Sequence, residues 1–479
     1  MPKSMVKNGI NSMITLYIIR HGSTQANAKH RIQGPNNRSR LSQEGEDQIG
    51  NLIKSNYKVL KGINGIVVSQ TLRSRQSGGV AARQLNTELK LEIDTSLTDF
   101  NPGILTGLTH GQAEKIYPAY YQIWKKHGDL DGIPKSETGD VLQARIIAFL
   151  AQYLKKKTNG KELIITHAGV IRCLVNTCLG KKRENQIDVG HNKMYILKDP
   201  WKEIDVKKFN LGKSEMVYKV KTVDRDYVLK IKKDYSLSRT KFQSDLMNYL
   251  ATKSLPISPI LYTHKNRLDN EEIIQVMKYI PGENIFGRLN CSKTKNLLHL
   301  IFSLKTAFEK YPGKSKTADS NLPYLKNKLS KALENTADET LYIYGSRLIS
   351  TFDKRYLNKQ NSIVFWDLHR GNILFDNENP SLIDFECLIR APETFQLASL
   401  LAACFQLENP KDFKLCEYTY MWPEKVDLKE LVYFMKIRHF LGAAFFMKLK
   451  KNRNLSIEES GILSRYLDSI RLLESEESI

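Results

Sequence analysis

Short apolar runs recur through the first two hundred residues, and each ends abruptly in polar groups. Leu16-Tyr17-Ile18-Ile19 stops at Arg20-His21-Gly22-Ser23-Thr24. Ile66-Val67-Val68 runs into Ser69-Gln70-Thr71-Leu72-Arg73, which opens a helix, and Leu163-Ile164-Ile165-Thr166 ends in His167-Ala168-Gly169. Runs of this length without alternation suit strands buried on both faces of a parallel sheet. Helix-period stretches lie between them. One begins at Ser42, a suitable N-cap, and continues to about Tyr57; another, read as amphipathic, spans Asp140 to Leu154. Asn192–Leu197 reads as a last short strand. Alternating strands and helices mean a mostly parallel α/β sheet. Ligands of such sheets sit beyond the carboxyl ends of the strands, which is where Arg20, His21, Arg73 and His167 belong. Gly22 lets the chain turn sharply there. Arg31 to Asn37 is a polar, turn-rich loop, and Leu97-Thr98-Asp99-Phe100-Asn101-Pro102-Gly103 follows further on, with Gly107 a little later.

Beyond the turn Asp199-Pro200-Trp201 the pattern changes. Asn210–Val220 and Asp226–Ile231 read as two strands around a polar turn at Thr222 to Arg225. In the second of them Val228 and Lys230 share a face. Far downstream, Ser362–Phe375 and Ser381–Glu386 flank a loop that presents Asp367, Asn372 and Asp384 to one point. Lys293–Gly345 and Asp427–Leu473 are helical in pattern.

Composition narrows the classes. A chain of 479 residues with 41% hydrophobic positions holds two or three folded domains. The net charge of +22 fits nucleic acid, anionic membrane, a phosphorylated substrate or plain lysine bias. The basic clusters at Lys155–Lys157, Lys181–Arg183 and Lys448–Lys451 lack interleaved aromatics, so nucleic acid is not indicated. Cys173, Cys178, Cys291, Cys387, Cys404 and Cys416 show no zinc spacing and read as buried, reduced thiols. Met1–Ser12 lacks the apolar core of a signal peptide, and no apolar run is long enough to span a bilayer. A soluble cytoplasmic protein is expected; its oligomeric state is open.

Arg20-His21-Gly22, Ser69 with Arg73, Gln33-Gly34, Leu41…Gly45, Gly103…Gly107 and His167-Ala168-Gly169 together resemble the histidine phosphatase, or phosphoglycerate mutase-like, superfamily. The resemblance implies that His21 becomes phosphorylated as a covalent intermediate, with no cofactor. Arg20, Arg73 and His167 would hold the phosphoryl oxygens. Asp99 stands where the family often has a glutamate and would protonate the leaving group. Its apolar neighbours and a substrate dianion would raise its pKa. Asn27 and Gln33, with Gly34, either contact the phosphate or only order their loop. A neutral imidazole is needed for attack, and the nearby guanidinium groups favour that form.

The second half resembles the aminoglycoside phosphotransferase and choline kinase family, on the Asp367-x-x-x-x-Asn372 spacing, Asp384-Phe385-Glu386, and Val276–Glu283 as an interlobe hinge. The resemblance implies ATP and Mg²⁺. Asp367 would act on the acceptor hydroxyl, Asn372 and Asp384 would hold the metal, Lys230 would grip the phosphates, and Met277 would line the nucleotide site. Departures are Phe365-Trp366 before Asp367, Gln243 where a glutamate would pair with Lys230 (Asp245 points to the other helix face), and Gln396 in place of an aspartate. Tyr420, Trp422, Phe434 and Phe446 could cage a cation but at helical spacing read as core.

The expected architecture is an α/β three-layer phosphoglycerate mutase-like domain followed by an α+β two-lobed protein-kinase-like domain. The boundaries are 1–12 for an extension, 13–200 and 201–479. The expected function is bifunctional: phosphomonoester hydrolysis, and Mg-ATP-dependent phosphorylation of a hydroxyl on a sugar, amino alcohol or vitamin alcohol. The alternatives are a phosphatase with a nucleotide-binding pseudokinase module, and a basic nucleic-acid-binding protein.

Overall fold

The computed structural model describes residues 14–475 apart from 36–37, 126–130, 155–159, 184, 210–214, 234–236, 285–288, 313–321, 335, 337, 356–361, 366, 386–387, 406–421 and 423–424. The chain forms two compact units, Met1–Leu237 with Ile260–Tyr279, and Ser238–Pro259 with Ile280–Ile479.

In the first unit, β1 (Ile14–Arg20), β2 (Gly65–Val68), β3 (Leu91–Ile93) and β4 (Gly160–Thr166) run parallel, and β5 (Met194–Lys198) lies antiparallel on β1. The sheet order is β3-β2-β4-β1-β5. The helices are α1 (Gln25–Ala28), α2 (Gln43–Ser55), α3 (Tyr57–Leu60), α4 (Leu72–Leu85), α5 (His110–Ile116), α6 (Pro118–Lys125), α7 (Gly139–Ala151) and α8 (Ala168–Cys178). Side chains of α2 and α4 (Ile49, Ile53, Val80, Leu85) pack on one sheet face against Ile19, Val68 and Ile165. Those of α7 and α8 pack on the other against Ile18, Val67 and Ile164. This is the three-layer arrangement, and the buried central strands explain their unbroken apolar runs. Ser42 caps α2 by accepting from Gly45 N at 3.1 Å, as its sequence suggests. The helix stops two residues short of expectation because the Asn56 side chain turns back onto the Leu52 carbonyl.

Helix α7 departs from the amphipathic reading. Leu142 to Ala151 are all buried, Gln143 and Arg145 among them, because both faces of the helix are covered. A second sheet covers its outer side: β6 (Asp205–Phe209), β7 (Glu215–Lys221), β8 (Asp226–Lys233), β9 (Ile260–Lys265) and β10 (Glu272–Lys278), antiparallel in the order β6-β7-β8-β10-β9. Val220, Tyr227, Leu229, Ile274 and Val276 join Ile146, Phe149 and Leu150 in one core. Polar ties cross the same seam. Tyr227 hydroxyl donates to Gln143 Oε1 at 2.8 Å, Gln143 donates to Asp224 at 3.1 Å, and Arg225 pairs with Asp140. Compactness thus divides the chain elsewhere than at 200/201. The hairpin turn at Thr222–Arg225 is as expected, but its first strand begins at Glu215, and β6 precedes it. Residues 210–214 lie outside the described residues.

The second unit contains α9 (Leu237–Thr252, of which all but the first residue belongs here), a three-stranded sheet of β11 (Glu283–Asn284), β13 (Ile373–Asp376) and β14 (Asn379–Leu382), and a pair β12 (Ser362–Phe365) with β15 (Leu388–Ala391). Around them are α10 (Cys291–Glu309), α11 (Leu322–Glu334), α12 (Glu339–Arg355), α13 (Thr394–Phe405), α14 (Leu428–Asn452) and α15 (Ile457–Ser475). Phe352, Phe395, Phe434 and Phe440 form its buried centre. Of the suggested aromatic cage, Phe434 packs on Phe395, Trp422 on Phe302 and Phe446 on Tyr466; Tyr420 lies outside the described residues. These contacts are core packing. Cys173 and Cys178 are buried free thiols, whereas Cys291, at the exposed start of α10, is not buried as expected. No helix among the described residues is long and apolar enough to cross a membrane.

Candidate active sites

Strands β1 and β4 pair with Arg20 opposite Thr166, so the chain delivers His21 and His167 side by side at the carboxyl edge. Their ring centroids are 5.0 Å apart. His21 Nδ1 lies 2.8 Å from the Gly22 carbonyl oxygen. A carbonyl only accepts, so Nδ1 carries the proton and Nε2 keeps its lone pair. Arg73 Nε donates to that nitrogen at 3.3 Å, while its Nη2 donates to Gly34 O at 2.8 Å and Asp99 Oδ2 at 2.9 Å. The turn that allows this is tight: a Cβ on Gly22 would stand 2.2 Å from the Gly45 carbonyl oxygen. Gly34 itself has φ of +61°, a conformation glycine adopts without steric cost.

His167 Nε2 is 2.8 Å from Ser69 Oγ and 3.3 Å from Thr71 Oγ1, and its Nδ1 is 3.6 Å from Asp99 Oδ2. Burial, then the Arg73 and Arg20 charges, drives the His21 pKa well below the usual imidazole range. Burial and Arg73 do the same to His167. Both rings are therefore neutral near pH 7. Burial raises the Asp99 carboxyl, against the opposing pull of Arg73. Arg20 donates from Nη1 to Val189 O at 3.2 Å.

The structure thus gathers Arg20, His21, Arg73, Asp99 and His167, with the Gly34 carbonyl holding Arg73. Asn27 is turned into its own loop, where Oδ1 accepts from Thr24 N at 3.1 Å and Thr24 Oγ1 at 2.7 Å. Gln33 Oε1 is buried without a hydrogen-bond partner. Sequence reasoning missed His191, whose Nδ1 is 2.8 Å from the His21 carbonyl oxygen and whose ring lies 6.0 Å from that of His21. The signal was available: His191 precedes an antiparallel strand, so it stands at the same edge where β1 ends.

In the second unit, Asp367 follows β12 and Asp384 follows β14, each by two residues. Phe365 and Phe385 stack beneath them with centroids 4.4 Å apart. Asn372 Nδ2 donates to the Asp367 carbonyl at 3.0 Å, and Ile383 N donates to the Asn372 carbonyl at 3.0 Å. These bonds bring all three residues to one place. Asp367 Oδ2 is 4.0 Å from His369 Nε2, its Oδ1 is 4.0 Å from Arg438 Nη2, and Asp384 acts electrostatically on the same His369 ring. With its amide nitrogen committed, Asn372 offers an oxygen. That oxygen and the Asp384 carboxylate are the hard donors Mg²⁺ prefers, so the residues present fit the metal. Two of the departures have physical reasons. Phe365 is a core residue, and buried Gln396 accepts from Phe365 N at 3.3 Å and donates to Ile301 O at 3.4 Å, tying β12 to α10. Trp366 lies outside the described residues.

In the first unit, Lys230 is 6% exposed and stands on the face of β8 turned away from α7. It pairs in register with Val217 and Gln275, and Met277 pairs with Val228. Gln275, also missed from sequence, is wholly buried with neither amide atom hydrogen-bonded.

Comparison with known proteins separates the two regions. A family model described as histidine phosphatase superfamily (branch 1) matches residues 16–209, and one described as phosphotransferase enzyme family matches residues 205–413. The chain is 31% identical over 169 residues to the probable phosphoglycerate mutase GpmB of Enterobacter sp. (strain 638), a match covering 35% of this chain and 76% of the relative. The same-named protein of Citrobacter koseri is 30% identical over 172 residues, again 35% of this chain and 76% of the relative. Among solved structures, the alpha-ribazole phosphatase of Shigella flexneri matches 40% of this chain and 91% of its own, at 21% identity and a TM-score of 0.33. Amicoumacin kinase hAmiN, solved with AMP-PNP, Ca²⁺ and Ami, matches 56% of this chain and 88% of its own, at 17% identity and a TM-score of 0.47. Residues 205–413 thus match the model of the phosphotransferase enzyme family, and through residues 16–209 the chain belongs to the histidine phosphatase superfamily.

Proposed function

We propose that this protein is a bifunctional enzyme: a phosphomonoesterase that works through phosphohistidine, joined to a Mg-ATP-dependent kinase of a small alcohol. What carries the first half is His21 Nε2, a lone pair on a neutral ring facing Arg73 in a buried pocket. That nitrogen attacks the phosphorus of an ester while the bond to the ester oxygen breaks. Asp99 gives its proton to the departing oxygen, releasing the alcohol. Arg20, Arg73 and His167 stabilise charge on the phosphoryl oxygens. Water then attacks the phosphorus, its proton goes to the Asp99 carboxylate, and the N–P bond breaks to release phosphate. An alcohol in place of that water would make the reaction a mutase or transferase.

For the second half, Asp367 accepts the proton of an acceptor hydroxyl as its oxygen attacks the terminal phosphorus of ATP, and the bond from that phosphorus to the bridging oxygen breaks to release ADP. By the same reading Lys230 would hold the nucleotide phosphates, Met277 would line the nucleotide site, and Asn372 and Asp384 would hold Mg²⁺. The metal, when bound, neutralises phosphate charge. The acceptor belongs to the sugars, amino alcohols or vitamin alcohols. Adding phosphate at one position of a metabolite and removing it at another would put both activities to use.

The test is a panel of phosphate esters and alcohols assayed with the wild type, His21→Ala and Asp367→Asn. The expected result is loss of hydrolysis only in His21→Ala and loss of ATP-dependent phosphorylation only in Asp367→Asn. Hydrolysis that survives His21→Ala sinks the first half. Binding of Mg-ATP without any turnover would make the second half a regulatory module.

A further inference from the structure

Asp99 is delivered to the phosphoryl pocket by the short segment 94–99, and that segment is pinned at three places. Arg145 of α7, 5% exposed, donates from Nη1 to the carbonyls of Ser96 at 2.6 Å and Thr98 at 2.8 Å. Glu137 holds the other edge of the same guanidinium at 2.6 and 2.8 Å. Thr166 Oγ1 donates to the Leu97 carbonyl at 2.6 Å. The third anchor is Asp94, buried to 1% exposure, which accepts from Ser96 N at 2.9 Å and from Gln152 Nε2 at 2.7 Å.

The groups facing Asp94 come from the other sheet. His264 Nε2, on β9, is 3.4 Å from Asp94 Oδ1, and Arg267 Nε, just beyond β9, is 3.8 Å from Oδ2. Arg267 also pairs with Glu92 and, at 3.0 Å, with Glu162, and its backbone N donates to Gln152 Oε1 at 3.2 Å. Burial pushes the Asp94 carboxyl up; the hydrogen bond and charge of His264, then Gln152 and Ser96, outweigh it and leave it at about 2. Residues 264 and 267 lie outside the stretch matched as histidine phosphatase and inside the one matched as phosphotransferase.

We propose that His264 is a positioning residue for the hydrolytic reaction, fixing Asp94 and through it the placement of the Asp99 carboxyl against the leaving oxygen. The inference rests on the phosphatase reading above. A buried carboxylate that loses a facing hydrogen-bond partner turns to other donors or takes up a proton. Either change shifts the start of a six-residue segment whose far end must meet the ester oxygen within hydrogen-bond reach. A displacement of about 1 Å costs on the order of a hundredfold in rate.

Leaving-group dependence tests this in the full chain. Phenyl phosphate needs its departing oxygen protonated, and 2,4-dinitrophenyl phosphate does not. His264→Ala should lower kcat/KM on phenyl phosphate by about ten- to a hundredfold and leave kcat/KM on 2,4-dinitrophenyl phosphate within about twofold, since kcat/KM reports transfer to His21 and not the later hydrolysis in which Asp99 acts as base. His264→Gln, whose amide can donate to Asp94, should recover part of the loss and remains informative if the alanine variant does not fold. Asp99→Asn should show the same selectivity more strongly. Equal losses on both substrates in His264→Gln, or no loss on either, would overturn the proposal. Failure of the phosphatase reading itself looks different: the wild type would then show no His21-dependent hydrolysis of dinitrophenyl phosphate, and the positioning role would fall with it.

Discussion

At the scale of single residues, the proposed hydrolysis rests on two groups moved in opposite directions. Burial and the Arg73 and Arg20 charges lower His21, and burial raises Asp99. Attack needs neutral His21, so activity falls on the acid side only as pH drops through the lowered His21 pKa. The acid limb of kcat/KM is therefore expected below the ordinary imidazole value of about 6.5. Protonation of the leaving group needs neutral Asp99, so activity on phenyl phosphate should decline as pH rises through the raised Asp99 pKa. Asp99→Asn should abolish that alkaline limb and slow phenyl phosphate about a hundredfold or more. A pH profile with an acid limb at the ordinary imidazole value would contradict this account. Arg20, His21, Arg73 and His167 were legible from sequence because a strand end is a fixed address: once the apolar run is placed, the residues after it must stand at the sheet edge. His191 was legible by the same rule applied to the start of a strand, once β5 is taken to run against β1; Gln275 was not, because it is an amide whose neighbours follow from register alone.

At the scale of elements, α7 carries most of the difference between expectation and structure. Its apolar residues were assigned one face because a lone α/β domain would leave the other in water. Here the outer face meets β8, β9 and β10, so Ile146, Phe149 and Leu150 are wholly buried. Reading that from sequence requires knowing that the strands after residue 200 fold back onto it, a long-range fact that periodicity does not carry. Phe149→Ala should cost about 3–5 kcal/mol, the usual range for emptying an aromatic core site. Because the helix supports the segment bearing Asp99 on one side and the sheet bearing Lys230 on the other, hydrolysis and ATP-dependent transfer should lose heat resistance together. Residual activities after graded heating would check it; loss of hydrolysis alone would mean that the two sheets are independent in solution.

At the scale of the whole chain, sequence likeness and compactness divide the molecule differently. The two family matches meet near residue 205, yet the first compact unit continues to Leu237 and takes in Ile260–Tyr279. The far boundary, Tyr279/Ile280, falls within the stretch read from sequence as a hinge. A chain truncated after Pro200 would retain every residue of the phosphoryl pocket. It would lose Trp201, 3% exposed with Nε1 bonded to the Leu150 carbonyl at 3.0 Å, and the apolar sheet face of Leu229, Ile274 and Val276. It would also lose His264 and Arg267, leaving Glu92, Asp94 and Glu162 without the guanidinium that pairs with them. An exposed apolar face beside uncompensated carboxylates favours association and loose packing. The truncated chain is expected to bind the dye ANS, to elute as aggregates in size exclusion, and to unfold without a sharp transition. A monomer that melts cooperatively and hydrolyses phenyl phosphate at the full-length rate would show that the second sheet is dispensable. The uncompensated carboxylates also set the direction of a partial rescue. Asp94→Asn in the truncated chain removes one buried charge, so it should reduce ANS binding there, whereas in the full chain it removes the partner of His264 and should destabilise.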